Sequence, residues 1–409
     1  MTDPHADRLA GASTLLATLP ERRGFGDATL IRPVPGSIDL GGGNPSVDLL
    51  PTELYRDATH AVVTDPAFGT ALRYSAAQGL PALRAAVAAR ERVDPERIVV
   101  TNGGAHGLAL AVLGTLDRGD TIVVDDPVYP LFLRVLDLVG GVNVVAAPVT
   151  ADGIDVDAVE RLLRDGLRPK ALFTVPTFQN PAGGTLSTEA SAALVDLAER
   201  FGFTIIADDP YREVAFPGVV VPDRPRFRDT DRVVGVNTFS KTLGPGLRLG
   251  WLTVPESLRP AYTKLRNRLD GQTSGVLQSV VARMLADPRY DAAVARAGAG
   301  YEPRARALAA ALRDELAGHV EVRDPDGGFF VWARLDVGAE DSARLFDVAQ
   351  DAGVVYQRGE WFAAGQERFT GFVRLSFSEG DPETLREGVA RLATAWRTVR
   401  TPSVARQER

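Results

Sequence analysis

Between residues 97 and 254, short apolar runs rich in β-branched residues alternate with longer stretches in which apolar positions recur at helical spacing. The runs at 97–101, 121–124, 142–145, 171–175, 203–206, 233–236 and 249–252 read as strands, and helices are predicted over 108–116, 156–163 and 191–201. Strands that alternate with helices make βαβ units, so the expected fold class is α/β. A mainly parallel seven-stranded sheet would sit at the centre of a three-layer α/β/α domain.

Beyond residue 255 the pattern changes. Long Ala/Arg/Leu-rich helical stretches at 275–285 and 301–316 are followed by short strands at 320–322, 329–332 and 372–375 and a helix over 382–396. This reads as a smaller α+β domain. The expected division is a large domain over 50–285, and a split small domain made of 1–49, which includes an N-terminal segment, and 286–398. The polar stretch 399–409, with Pro402 and charges at its end, is expected to be a flexible tail.

Composition narrows the possibilities. The chain has 409 residues, 45% hydrophobic and 24% charged, as a globular protein has. A formal charge of −7 supplies no basic field for a phosphate backbone, so no nucleic-acid partner is expected. With no cysteine there can be no disulfide, thiolate catalysis or iron–sulfur ligation, which fits a cytoplasmic location. Residues 1–11 carry Asp3, His5, Asp7 and Arg8 rather than an apolar export signal, and no apolar run is long enough for a membrane span. Of 46 basic residues only Lys170, Lys241 and Lys264 are lysines, so each lysine invites a chemical reason.

Four segments supply candidate chemistry, each at the end of a predicted strand. Asn102-Gly103-Gly104-Ala105-His106-Gly107 precedes a helix whose first amides could cradle an anion. It is neither GxGxxG nor Walker A, which weakens nicotinamide and nucleoside triphosphate readings. In Asn237–Trp251 the residues Thr238, Ser240, Lys241 and Arg248 lie within one glycine-rich loop. A desolvated lysine can lose its proton and attack a carbonyl, which arginine cannot do. Phe178-Gln179-Asn180-Pro181 and Ala207-Asp208-Asp209-Pro210-Tyr211 bring an amide, a carboxylate and a phenol to the same sheet edge, where ligands of open α/β sheets gather. Taken singly, each segment also fits an ordinary turn or cap.

Taken in order, these segments resemble the fold-type I pyridoxal phosphate (PLP) enzymes, specifically class I/II of the aspartate aminotransferase superfamily and its 2-aminoadipate/kynurenine branch. The likeness runs from Gly41-Gly42-Gly43-Asn44-Pro45 to Arg374. It implies that Lys241 holds pyridoxal 5′-phosphate covalently and then shuttles the proton of the substrate. It further implies that Asp208 pairs with the pyridinium nitrogen, that Tyr211 and Asn180 bond the ring 3′-oxygen, and that Tyr129 stacks on the ring. The phosphate would lie on the amides of Gly104 and Ala105, on Thr238 and Ser240, and on Arg248.

Arg374 would grip the substrate α-carboxylate, with Gly43 and Asn180 beside it. Tyr74 would reach the cofactor phosphate of a neighbouring subunit, which implies a homodimer with shared sites. No metal is expected.

The implied activity is transfer of an amino group between an L-amino acid and a 2-oxo acid. The same residues would also serve elimination, replacement, oxidation or cyclisation in a biosynthetic pathway. A ligand-sensing regulator is disfavoured, because forty residues precede Gly41, fewer than a winged helix and linker need. Residues 15–35 are expected to fold over the cleft as a lid, and His106 to cap or pack.

Overall fold

All seven runs that the sequence marks between residues 97 and 254 are strands, and they pair in one sheet. The computed structural model describes residues 11–20, 22, 36–365 and 368–400. Residues 21 and 23–35 of the expected lid, and 401–409 of the expected tail, lie outside the described residues. The strands are β1 Ile38–Asp39, β2 Ile98–Thr101, β3 Thr121–Asp126, β4 Asn143–Thr150, β5 Gly153–Ile154, β6 Ala171–Thr174 and β7 Thr204–Asp208. They continue with β8 Val233–Thr238, β9 Gly250–Thr253, β10 Val320–Val322, β11 Phe330–Leu335, β12 Val354–Val355, β13 Gln357–Arg358 and β14 Phe372–Ser376.

The large sheet runs β2-β9-β8-β7-β6-β3-β4-β5. Neighbours from β8 to β4 are parallel, whereas β9 is antiparallel to both β8 and β2. The sheet has eight strands rather than the expected seven, because β5 adds two residues antiparallel to β4 at one edge. Two residues are too few to show a periodicity.

Alternate positions sort to opposite faces, as the pleat requires. Ile122, Val124, Phe173 and Ile206 pack with Leu108, Leu110 and Phe132. Val123, Leu172, Ile205 and Ala207 pack instead with Val159, Leu163, Leu194 and Ala198. Helices Gly104–Leu113 and Pro130–Leu136 thus cover one face, and helices Val156–Arg164 and Thr188–Phe201 the other. Both of the latter begin at side-chain caps, Asp155 accepting from the Ala158 amide at 2.9 Å and Ser187 from the Ala190 amide at 3.1 Å. Because both faces are covered, the strands read as continuous apolar runs.

A second, antiparallel sheet runs β10-β11-β14-β13. It packs with the 27-residue helix Arg289–Glu315 and with Pro382–Arg400 in one continuous core. The last helix extends four residues past the expected end at 396, so residues 399 and 400 are helical rather than tail. Val399 is buried, and the Arg400 guanidinium bonds the Asp336 carbonyl at 2.6 Å and its carboxylate at 2.7 Å. No helix among the described residues is long and apolar enough to cross a membrane.

Candidate active site

The strands β3, β6, β7 and β8 end along one edge of the large sheet, and there a cavity of about 270 Å³ opens. Its lining includes eleven of the thirteen residues that the sequence singles out: Gly43, Gly104, Ala105, Tyr129, Asn180, Asp208, Tyr211, Thr238, Ser240, Lys241 and Arg248. Segments up to two hundred residues apart in sequence therefore converge on one space. Arg374 stands just behind Asn180, and Tyr74 lies outside the cavity.

One end of the cavity is built for an anion. Helix Gly104–Leu113 starts there, and its first backbone hydrogen bond is donated by Gly107 to the Gly103 carbonyl at 3.1 Å. The amides of Gly104 and Ala105 therefore precede the helical ladder, at the positive end of its dipole. Thr238 caps the short turn Phe239–Lys241 by accepting from the Ser240 amide at 3.1 Å, and its hydroxyl lies 2.8 Å from that of Ser240. Arg248 is anchored by the Pro245 carbonyl at 3.1 Å and leans on Gly103. A Cβ at Gly103 would lie 2.8 Å from the Arg248 guanidinium, and the φ of +83° at Gly103 disfavours any side chain. The glycine pair is legible in the sequence, whereas the room that Gly103 makes for Arg248 is a tertiary feature.

The same cavity carries a buried carboxylate. Asp208 ends β7 and is 4% exposed. Burial, and then the neighbouring charge of Asp209, push its carboxyl up to about 8, against the pull of Lys241. Such a group favours a cationic partner inside the cavity.

Lys241 follows β8 and donates to the Gly43 carbonyl at 2.7 Å. Its ammonium is pushed down to about 8, chiefly by burial and then by the Arg374 charge, with Asp208 and Glu379 opposing. Lys241 is therefore easier to deprotonate near neutral pH than an ordinary lysine. The ammonium lies 5.6 Å from the ring centre of Tyr211 and 5.5 Å from that of Phe329. Tyr211 is hydrogen-bonded by Asn180, and burial raises its phenol above the ordinary range. Burial raises Tyr129 likewise.

Arg374, in β14, is fully buried. It donates to the Gly41 carbonyl at 2.6 Å and to Asn180 Oδ1 at 3.0 Å, and its guanidinium sits 3.9 Å over the Phe330 ring. Burial pulls it down to about 10, so it remains a cation at neutral pH. The Gly41 contact depends on Asp39, whose Oδ1 accepts from the amides of Gly41 at 2.7 Å and Gly42 at 3.1 Å. Asp39 was not foreseen, although an acid two residues before a glycine turn is a recognisable Asx signature. His106 accepts from the Asn102 amide at 3.1 Å and acts as a cap. Tyr74 is fully exposed.

Together these groups suit a ligand that carries an anionic group, a protonated ring nitrogen and a carbonyl that an amine can attack. Pyridoxal 5′-phosphate has these features. Among the described residues no cluster of three or more His, Asp or Glu could hold a metal ion.

Comparison with known proteins agrees. Residues 35–392 match the family profile of aminotransferase class I and II. Aromatic-amino-acid aminotransferase 1 of Thermococcus litoralis is 32% identical over 366 residues, 87% of each chain. The structure of the α-aminoadipate aminotransferase LysN of Thermus thermophilus, complexed with N-(5′-phosphopyridoxyl)-L-leucine, superposes with a TM-score of 0.83 at 28% identity over 97% of both chains. The multiple substrate aminotransferase of Thermococcus profundus gives a TM-score of 0.87 at 29% identity, covering 95% of this chain and 98% of the other. These relatives do not favour elimination, replacement, oxidation or cyclisation. The fold-type I architecture, the cavity and the relatives agree that this chain belongs to the class I and II aminotransferases and is an enzyme that uses pyridoxal 5′-phosphate.

Proposed function

We propose that the chain is a homodimeric aminotransferase of free L-α-amino acids, in which Arg374 binds the α-carboxylate and Lys241 holds the cofactor and carries the proton. The observation that supports this most is the placement of Arg374. A buried cation fixed by Gly41 and Asn180 presents a planar fork next to the cavity of Lys241, and a carboxylate is the anion that fork matches.

The cofactor, when bound, supplies a carbonyl that captures the amino group and a ring that accepts electron density from Cα. Gly104, Ala105, Thr238, Ser240 and Arg248 would hold its phosphate, and Asp208 its ring nitrogen. Asn180 and Tyr211 would hold its ring oxygen, and Tyr129 its ring face. Lys241 Nζ, oriented by the Gly43 carbonyl, takes the proton from the substrate Cα and gives it back on the other side of the transfer.

The exposed Tyr74 and Leu72 sit beside a concave apolar face lined by Val62, Phe68, Ala71 and Leu80, which supports pairing with a second copy whose cofactor phosphate Tyr74 would reach. We assign residues 50–285 to the large domain, and 1–49 with 286–398 to the small one. The parallel pairing of β1 with β12 supports placing the N-terminal segment with the small domain. The lack of cysteine supports a cytoplasmic location.

Donors to try first are aromatic amino acids and 2-aminoadipate, named for relatives of this chain. Holoenzyme would be mixed with an amino-acid panel without an oxo-acid acceptor, and the cofactor spectrum and product mass followed. One equivalent of 2-oxo acid per site, with the cofactor left in its amine form, is the expected result. Repeated turnover releasing ammonia would refute the reading.

A further inference from the structure

Beside Asp209 lies another buried cation, Arg224, 3% exposed at the start of helix Pro225–Arg228. Its guanidinium donates to the Leu186 carbonyl from Nε at 3.2 Å and from Nη2 at 3.0 Å. Nη2 also donates to the Pro176 carbonyl at 2.6 Å, and Nη1 to Thr177 Oγ1 at 3.1 Å. Pro176 and Leu186 are the two feet of the loop that carries Asn180, joined by the Leu186 amide donating to the Pro176 carbonyl at 2.8 Å. Arg224 thus clamps the base of that loop. The same guanidinium lies 3.6 Å from Asp209 Oδ2, one residue beyond Asp208.

Burying a cation costs solvation, and the carbonyl fork and Asp209 together offset it. Nη2 alone reaches both feet of the loop; what a lysine ammonium, donating from a single atom, cannot supply as well is the Nε bond to Leu186 and the Nη1 contacts with Thr177 Oγ1 and Asp209.

We propose that Arg224 is a positioning residue of the cofactor site: it fixes the Asn180 loop to the strand end that carries Asp208 and sets its charge against that of Asp209. This rests on the reading of Asn180 and Asp208 as cofactor contacts. Asp208 is faced by Asp209 on its own segment, by Lys241 from the loop after β8, and by Tyr129 and Tyr211. Asp209 in turn faces Arg224 and Glu91. Without the Arg224 charge, Asp209 loses the cation 3.6 Å away and keeps only the more distant influence of Arg212 in the same pocket, so its repulsion makes ionised Asp208, the form that would hold a protonated ring nitrogen, harder to keep.

The test measures the dissociation constant for pyridoxal phosphate and hydrogen exchange of residues 176–186 in Arg224→Met, Arg224→Lys, Asp209→Asn and the double variant Arg224→Met/Asp209→Asn. Folding is checked by melting temperature. Arg224→Met should weaken cofactor binding about tenfold and speed exchange in the loop, and Asp209→Asn on that background should recover part of the affinity but not the protection. Arg224→Lys should keep most of the affinity and lose part of the protection, because the Nε and Nη1 contacts are gone.

A purely structural role predicts no rescue by Asp209→Asn, and that outcome overturns the electrostatic half of the proposal. Binding within twofold of wild type with unchanged exchange overturns the whole. Should Arg224→Met not fold, Arg224→Lys decides through the loop exchange, with unchanged protection counting against it. If wild-type enzyme does not carry the cofactor at Lys241, the underlying reading and this one fail together. If it does, a negative result bears on Arg224 alone.

Discussion

Arg374→Lys is the substitution that most directly separates geometry from charge. The arginine is held in place by the Gly41 carbonyl at 2.6 Å, Asn180 Oδ1 at 3.0 Å and the Phe330 ring face, so in the proposed role its fork would meet a carboxylate without further ordering. A hydrogen bond to a charged group contributes about 1.5–3 kcal/mol, and a fork makes two of them with a carboxylate. Lysine keeps the charge and one such bond, so about 1.5–3 kcal/mol of transition-state binding is lost, which is roughly 10- to 150-fold in kcat/KM. Arg374→Met loses both bonds, about 3–6 kcal/mol or roughly 10²- to 10⁴-fold. The assay compares kcat/KM for a donor amino acid with that for the corresponding amine, which lacks the α-carboxylate. Both variants should lower the first and leave the second nearly unchanged, so the ratio collapses. If Arg374→Lys stays within about threefold of wild type and the ratio holds, Arg374 does not bind the carboxylate and the reasoning fails.

Three further outcomes follow from the same geometry. Gly103→Ala places a Cβ at φ +83° and 2.8 Å from the Arg248 guanidinium. It should cost about 1 kcal/mol of stability while weakening pyridoxal phosphate binding by more than about tenfold, read by melting and cofactor titration; unchanged affinity would remove Arg248 from the phosphate site. Lys241 is held down near 8, so raising the pH through that value increases its neutral, nucleophilic form. Covalent capture of the cofactor by the apoenzyme should therefore speed up from pH 6 and level off above about 8, the step broadened by Asp208, which ionises in the same range. A rate still climbing at pH 10 would show a solvated lysine instead. The folded state is penalised while Lys241 is charged, and that penalty lifts as pH rises from about 8 toward 10.5. Finally, if the proposed homodimer shares its sites, mixing Tyr74→Ala and Lys241→Ala chains in equal amounts should restore about a quarter of wild-type activity, because half the dimers would then hold one intact site. No recovery, with Tyr74→Ala alone inactive, would place Tyr74 outside the partner's site.

The large sheet was legible because its strands are buried on both faces and so leave unbroken apolar runs, as in Ala171–Thr174. Lys241 stood out for a compositional reason: in a chain that uses arginine almost everywhere, a lysine in a hydroxyl- and glycine-rich loop is conspicuous. The same habit hid Arg224, one arginine among many, whose importance lies in a loop-base contact that no local pattern announces. β5 was too short to register. The helix expected to begin at 301 starts at Arg289, and its first half was obscured by Ala297-Gly298-Ala299-Gly300 and by Pro303. Gly298 is explained by packing, since a Cβ there would fall 2.3 Å from the Ala215 carbonyl, a long-range approach invisible in sequence. The link from Asp39 through the Gly41 turn to Arg374 spans more than three hundred residues and is likewise tertiary.

In the proposed reaction Lys241 alone holds the cofactor. The three lysines make this a clean chemical question, because Lys170 and Lys264 are exposed whereas Lys241 faces the cavity. Holoenzyme would be reduced with borohydride, digested, and its peptides mapped by mass. A pyridoxyl adduct on Lys241, at about one per chain, is the expected result. An adduct on Lys170 or Lys264, or none on any lysine, would contradict it.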